Sequence, residues 1–263
     1  MPVCDWDAAD YERHSAAQQQ WARELIAKLD LRGDEALLDV GCGDGKVTAE
    51  IAARLPKGFA VGIDNSPEMI ALARSRFPTA DHPNLSFVLG DARFLPFRDG
   101  FSAVFSNAVL HWVRDHRPVL SGIFGSAKPG ARIVLQMGGR GNAGGIVAVL
   151  DEMLLAQEWR AYFDGFTMPY GFHGPEEYQA WLRDAGLTSR RADLIDKDMT
   201  YADRAGLEGW VRTTWLPYTQ RVPAERRDEF VARLVDRYLE RHPPDERGVI
   251  HVHMVRLEVE AVR

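Results

Sequence analysis

The segment LLDVGCGDG at positions 37–45 concentrates the side chains most able to do chemistry: two carboxylates, Asp39 and Asp44, around a turn containing Gly41, Gly43 and Gly45. Glycines let backbone N–H groups approach a ligand closely, and a helix starting just beyond them points its positive end the same way. A dinucleotide loop spaces its glycines G-x-G-x-x-G around a pyrophosphate. Here the third glycine comes one position sooner. A nearby carboxylate would oppose a pyrophosphate but suits an ammonium or a sulfonium. Asp64 follows 19 residues after Gly45 (64 − 45), and an acid in that place accepts both hydroxyls of a ribose. Asp91, in GDA, can reach the amino group of a base, and Asn107 closes the apolar run FSAVFSN. With Cys42, Asn65, Met69 and Ala92 beside them, Asp39, Gly41, Gly43, Gly45, Asp64, Asp91 and Asn107 make up the candidate cofactor-binding set. A single glycine-rich turn is often only a tight turn, but the ordered set is hard to produce by chance.

These residues must be carried by strand ends. ALLDV, FAVGID, LSFVLGD, FSAVFSN and ARIVLQM read as five buried strands separated by helical segments, so βαβ units and a parallel sheet with right-handed crossovers are expected. Ser66-Pro67-Glu68 reads as the start of a helix, with Ser at the N-cap and Pro in the first turn. After Gln136 comes a glycine-rich loop, GGRGNAGG, then helices around Ile146–Trp159, Pro175–Ala185, Ala202–Thr214 and Pro223–Arg241, with a strand near Ser189–Met199. The tail VIHVHMVRLEVEAVR alternates with period two, slipping near Met254–Val255, and reads as a last, antiparallel strand. The expected fold is α/β: a Rossmann-like doubly wound sheet of seven strands, mostly parallel, with an α-helical cap. Its expected parts are a helical extension over 1–35, a ligand-binding core over 36–137, cap segments over 138–186 and 201–245, and final strands over 187–200 and 246–263.

Among 263 residues, 46% are hydrophobic and 27% charged, with a formal net charge of −6. No Lys/Arg cluster offers a face for duplex nucleic acid. Cys4 and Cys42 provide no zinc spacing and no disulfide framework, which points to a reducing cytoplasm and no metal. The polar N-terminus lacks the apolar core of a signal peptide, and no stretch is apolar enough to span a bilayer. A small-molecule partner is expected.

LLDVGCGDG, VGIDNSPEMIALAR, GDARFLPF and KPGARIVLQM resemble, in order and spacing, the motifs of class I S-adenosylmethionine (AdoMet) methyltransferases. Within that class the chain is most similar to the trans-aconitate 2-methyltransferase family. SNAVLHWVRDH, the strand ending LQM, the segment GWVRTTWLPY and the tail through VRLEVEAVR carry that likeness, which runs from Tyr11 to Arg263. It implies AdoMet as cofactor, S-adenosyl-L-homocysteine as product and a small organic acid as methyl acceptor.

Methyl transfer from AdoMet is an in-line displacement, in which holding nucleophile, methyl and sulfur collinear supplies much of the acceleration. A carboxylate is already ionised at neutral pH, with a reference pKa near ~4, and needs no base. No nucleophile–base pair is visible in the sequence. The residues singled out for catalysis are Gln18, His111 and Trp112. Gln18 falls where the family's N-terminal helix covers the site, and the Trp112 indole could face the sulfonium. Tyr11, Trp112, Tyr170, Arg212 and Trp215 are candidate substrate residues, and Arg140 and Arg221 are further candidates for pairing with carboxylates. His251 and His253 share one face of the last strand but have no third metal ligand in view.

Overall fold

A computed structural model describes residues 16–263, with side chains described from Trp21 onward. In chain order the elements are α1 (Ala16–Ala27), β1 (Ala36–Val40), α2 (Lys46–Ala52), β2 (Phe59–Asp64), α3 (Pro67–Arg76), β3 (Leu85–Leu89), β4 (Phe101–Asn107), α4 (Arg117–Ser126), β5 (Ala127–Gly138), α5 (Gly144–Leu155), α6 (Pro175–Asp184), β6 (Thr188–Tyr201), α7 (Arg204–Thr214), α8 (Leu216–Thr219), α9 (Arg227–Arg241) and β7 (Ile250–Val262). The seven strands are ordered β3-β2-β1-β4-β5-β7-β6. β1 pairs in parallel with β2 and β4, β2 with β3, and β4 with β5, while β7 lies antiparallel against β5.

The chain divides into two compact units. One contains 18–140, 170–195 and 256–263, and so holds β1 to β5 with the adjoining parts of β6 and β7. β1 is buried at every residue, as an apolar run covered on both faces must be. Successive side chains on it point to opposite sides. Leu38 and Val40 enter a core with Val119, Leu120 and Ile123 of α4 and Tyr178 and Leu182 of α6. Leu37 enters a second core with Leu25 and Ile26 of α1, Ile51 of α2 and Ile70 of α3. Helix α6, expected in the cap, therefore packs on the sheet instead. Its apolar Tyr178–Leu182 stripe matches α4 better than a solvent face. The N-terminus of α3 has the expected form, the Ser66 hydroxyl accepting from Met69 N at 3.2 Å. β3 ends at Leu89, two residues before Asp91. The period-two slip in the tail falls where β7 changes from half-exposed to buried at every residue from Met254 to Val259. No bulge is needed to explain it.

The other unit gathers 141–169 and 196–255. Helices α5, α7 and α9 pack around an aromatic interior. Phe163 and Phe230 stack at 5.8 Å, and Trp215 makes edge contacts with Trp210 at 5.9 Å and Tyr218 at 5.8 Å. His251 and His253 are each bound by an aspartate, Asp198 at 2.7 Å and Asp196 at 2.9 Å. Among the described residues no His/Cys/Asp/Glu group could hold a metal, and no helix is long and apolar enough to cross a membrane.

Candidate functional site

The C-terminal ends of β1, β2, β4 and β5 lie along one edge of the sheet, where ligands bind in doubly wound folds. At that edge the glycine turn is stitched to β2. Gly41 N and Cys42 N donate to the Ile63 carbonyl at 2.7 and 3.1 Å, and Gly43 N donates to Asp64 Oδ2 at 2.9 Å. These N–H groups are committed to the protein, which is poor design for a pyrophosphate and agrees with the shortened glycine spacing. Gly41, Gly43 and Gly45 all have positive φ, but their surroundings differ. A Cβ on Gly41 would stand 2.1 Å from the Val109 side chain, and one on Gly45 would stand 2.5 Å from Phe87. A Cβ on Gly43 would meet nothing within 4 Å, so Gly43 alone of the three faces open space.

Asp39 and Asp64 flank this turn, and both are buried. Asp39 Oδ2 accepts from Thr48 Oγ1 of α2 at 2.7 Å, while its Oδ1 has no partner among the described residues. Burial, reinforced by the nearby charge of Asp64 and opposed by the Thr48 bond, pushes Asp39 up to about 7. Burial also raises Asp64, against the pull of backbone N–H donors from Ser66, Gly43 and Asn65. Asp44 is different: it is paired with Arg76 at 2.7 Å and Lys46 at 3.4 Å. Of the two carboxylates in LLDVGCGDG, only Asp39 is left with an unmet acceptor.

A row of acceptors continues across the sheet. Asn107 at the end of β4 is in register with Gln136 of β5, and Gln136 with Glu258 of β7. Gln136 Nε2 donates to Glu258 Oε1 at 2.9 Å, which leaves Gln136 Oε1 facing inward. Like Asp39 Oδ1, the buried oxygens Asn107 Oδ1 and Gln136 Oε1 have no partner among the described residues. Glu258 is itself held by Lys28 and by Arg191 at 3.4 Å. Gln136 and Thr48 did not stand out in the sequence. Each is a lone polar residue near an apolar run, and only the register and the α2 packing reveal where it lies.

Asp91 lies two residues past the end of β3, as the cap of the next turn and not at the strand end expected, and its carboxylate is gripped by Arg93: Nη2 lies 2.6 Å from Oδ2 and Nε lies 3.0 Å from Oδ1. That bond holds Asp91 below the usual carboxylate range. An adenine amino group would therefore share this carboxylate with a guanidinium. Ala92 begins the next 3-10 turn, Met69 is buried on α3, and Asn65 is exposed just past β2.

His111 and Trp112 follow β4 in the turn Leu110–Trp112. The Trp112 and Tyr170 rings meet edge-on at 5.1 Å. The remaining candidates have the following surroundings. Arg140 is paired with Glu177 at 2.6 Å and with Glu176 at 3.3 Å. Arg212 and Trp215 belong to the other unit, where Trp215 is buried in the aromatic interior and Arg212 lines a cavity of about 540 Å³ with Gln220 and Arg227. Arg221, also in that unit, lies over the Phe166 ring at 5.3 Å. Gln18 falls on α1 with its side chain outside the described residues, and Tyr11 lies outside them altogether.

Comparison with known proteins fits this geometry. Residues 37–130 match the Methyltransferase domain family. The chain is 31% identical over 267 residues to a trans-aconitate 2-methyltransferase of Methylobacterium nodulans, an alignment covering 99% of each protein. It superimposes on YcgJ of Bacillus subtilis with a TM-score of 0.65 at 18% identity, covering 93% of this chain and 98% of the other. It also superimposes on the geranyl diphosphate C-methyltransferase of Streptomyces coelicolor A3(2), solved with S-adenosyl-L-homocysteine, with a TM-score of 0.57 at 17% identity, covering 94% and 79%. The two structural likenesses establish the shared fold. The end-to-end sequence identity goes further, and with it the chain belongs to the trans-aconitate 2-methyltransferase family of AdoMet-dependent methyltransferases.

Proposed function

We propose that the protein esterifies a carboxylate of a small organic acid of the trans-aconitate type with the methyl group of AdoMet. The strand-edge residues fit that cofactor. Asp39 Oδ1, Asn107 Oδ1 and Gln136 Oε1 are buried acceptors in need of donors, and an ammonium or a C–H polarised by a sulfonium supplies them. Asp64 stands where ribose hydroxyls would be received, and Gly43 leaves space beside it. Bound AdoMet supplies a methyl on a sulfonium: its transfer forms an O–C bond, breaks the S–C bond, leaves the electron pair on sulfur and moves no proton.

The carrying observation is the state of the imidazole at this edge. His111 is buried, its Nδ1 is engaged by Gly138 N at 3.3 Å, and burial, with the charges of Arg256 and His116, lowers it to about 3. An imidazole whose Nδ1 lone pair is already held by Gly138 N, and whose basicity burial depresses, is poorly placed to take a proton from a hydroxyl or an amine. An acceptor that arrives ionised, a carboxylate, requires no such step. The family relationship supports the same acceptor class. A methyl-transfer screen over small di- and tricarboxylic acids tests this reading. Base-labile methyl esters, formed in step with S-adenosyl-L-homocysteine, are the expected products. Methylation confined to base-stable N- or C-methyl products would refute it.

A further inference from the structure

On the carboxylate reading above, the acceptor must be held in place for transfer. His111 Nδ1 faces the backbone N–H of Gly138, the last residue of β5. A backbone N–H can only donate, so Nδ1 must accept, and a neutral imidazole then carries its proton on Nε2. Nε2 has no hydrogen-bond partner among the described residues. The ring is also held through its backbone, since Gly171 N donates to the His111 carbonyl at 2.8 Å. That bond brings in the two residues flanking Gly171. The ring centroids of Tyr170 and Phe172 lie 6.1 and 6.0 Å from His111, and they stack on each other at 5.4 Å. Trp112 lies 5.9 Å away on a third side. The His111 Nε2–H is thus set among three aromatic rings at the strand edge.

We propose that His111 Nε2–H is the donor that holds the carboxylate being methylated, and that Trp112, Tyr170 and Phe172 pack the carbon skeleton beside it. A neutral donor suits this position better than a cation. The carboxylate loses its charge as it becomes an ester, so a cation gripping the reacting oxygens would stabilise the free acid more than the transition state. A neutral N–H favours the starting state less while still fixing its orientation. The charged and titratable groups acting on His111 are Arg256 of β7 and His116 ahead of α4, with the Tyr170 hydroxyl carried by the third packed loop. Arg256 and His116 both oppose a second proton on the ring, so the donor stays neutral. The other carboxylates of a polyacid would need cations elsewhere.

Two substitutions separate the donor from the bulk of the ring. His111→Phe keeps an aromatic ring and removes the donor, whereas His111→Asn keeps a donor. His111→Phe should raise KM for the acid by roughly 10- to 100-fold, the worth of a hydrogen bond to a charged group, and leave the Kd for AdoMet within about twofold. His111→Asn should retain kcat/KM to within about tenfold, and kcat should stay flat across neutral pH in both proteins. An unchanged KM in His111→Phe would overturn the assignment, as would a neutral-pH inflection in the native enzyme that disappears in His111→Asn. Nitrogen NMR of the native protein gives a reading independent of variant folding. An Nε2–H tautomer that does not titrate between about pH 5.5 and 8, with its proton shifted on adding the acid, is expected. An Nδ1–H tautomer, or titration in that range, would sink the proposal. Failure of the functional reading is distinct: the native enzyme would then make no base-labile ester from any acid.

Discussion

In the sheet unit, carboxylates and a guanidinium are buried: Glu35, Asp39, Asp64, Arg256 and Glu258. In the helical unit, among the described residues, the interior is aromatic and none of the Asp, Glu, Lys or Arg side chains is buried. The arginines there stay outside, as with Arg226 lying over the Trp159 ring at 4.4 Å and pairing with Glu158 at 3.0 Å. Burying a charge costs free energy unless partners compensate it. The two units meet that cost differently. The helical unit avoids it and gains stability from packing area, which tolerates many residue choices. The sheet unit accepts it at a few positions on and beside its strands, where Glu258 is neutralised by Lys28 and Arg191 but Asp39 is not. An uncompensated buried carboxylate marks a place built to receive something.

If that contrast is right, changes at the strand edge should affect ligand binding far more than changes at the helical unit's surface. The largest effect is expected from Gly43→Val. The substitution puts a β-branched side chain at φ 53, at a cost of about 1–3 kcal/mol in strain, and fills the open side of the turn. AdoMet binding should be undetectable by calorimetry while circular dichroism reports a native fold. Normal binding would mean that the turn does not face the cofactor. Gly41→Ala is the internal control. Its Cβ strikes Val109, so it should lower Tm as well as binding.

Asp64→Ala should weaken AdoMet binding by ~2–3 kcal/mol through loss of charge-assisted bonds to the ribose. Some loss of Tm is also expected, because Gly43 N and Ser66 N lose their acceptor. A dissociation constant matching that of the native protein would remove Asp64 from the ribose.

A third expectation concerns pH. Folded Asp39 sits at about 7, above its ordinary value of 3.8, so the folded protein holds this proton more tightly than the unfolded chain does. The corresponding stability is fully present below about pH 4 and is lost as pH rises through about 7, on the order of a few kcal/mol in all. A cation bound beside Asp39 lowers its pKa again. AdoMet should therefore bind more tightly at pH 7.5 than at pH 5.5 and release protons on binding. Asp39→Asn should abolish both trends. Calorimetry in buffers of different ionisation enthalpy reads the proton release directly, and a value of zero across this window would contradict the burial argument.

The smallest effect belongs to the other side of the comparison. Arg212 is exposed, lines the cavity of the helical unit and has no ion-pair partner among the described residues. Arg212→Gln should leave AdoMet affinity unchanged and raise KM for a polycarboxylate by less than about tenfold, the range of a solvent-screened ion pair. A loss as large as that of Asp64→Ala would erase the distinction between the two units.

What the sequence determined by itself was the order of the elements and the local conformation of the glycine turn. Apolar runs of five to seven residues such as ALLDV and FSAVFSN, bounded by turn residues and alternating with helical segments, read as buried strands, and the positive-φ glycines belong to a local turn whose geometry follows from neighbouring residues. The tertiary structure decided everything that depends on which distant segments meet. Helix α6 has the same amphipathic signature as the cap helices, and only packing against α4 assigns it to the sheet unit. Asp39 and Asp44 are both carboxylates beside the same glycines, and only the approach of Arg76 neutralises one while Thr48 leaves the other half-satisfied. His111 is legible as an imidazole near a strand end, but its tautomer depends on Gly138, 27 residues later, and its aromatic neighbours on the loop at Tyr170–Phe172. Local sequence encodes backbone conformation through short-range sterics, whereas a side chain's charge state and hydrogen-bonding role are set by the groups that long-range packing places beside it.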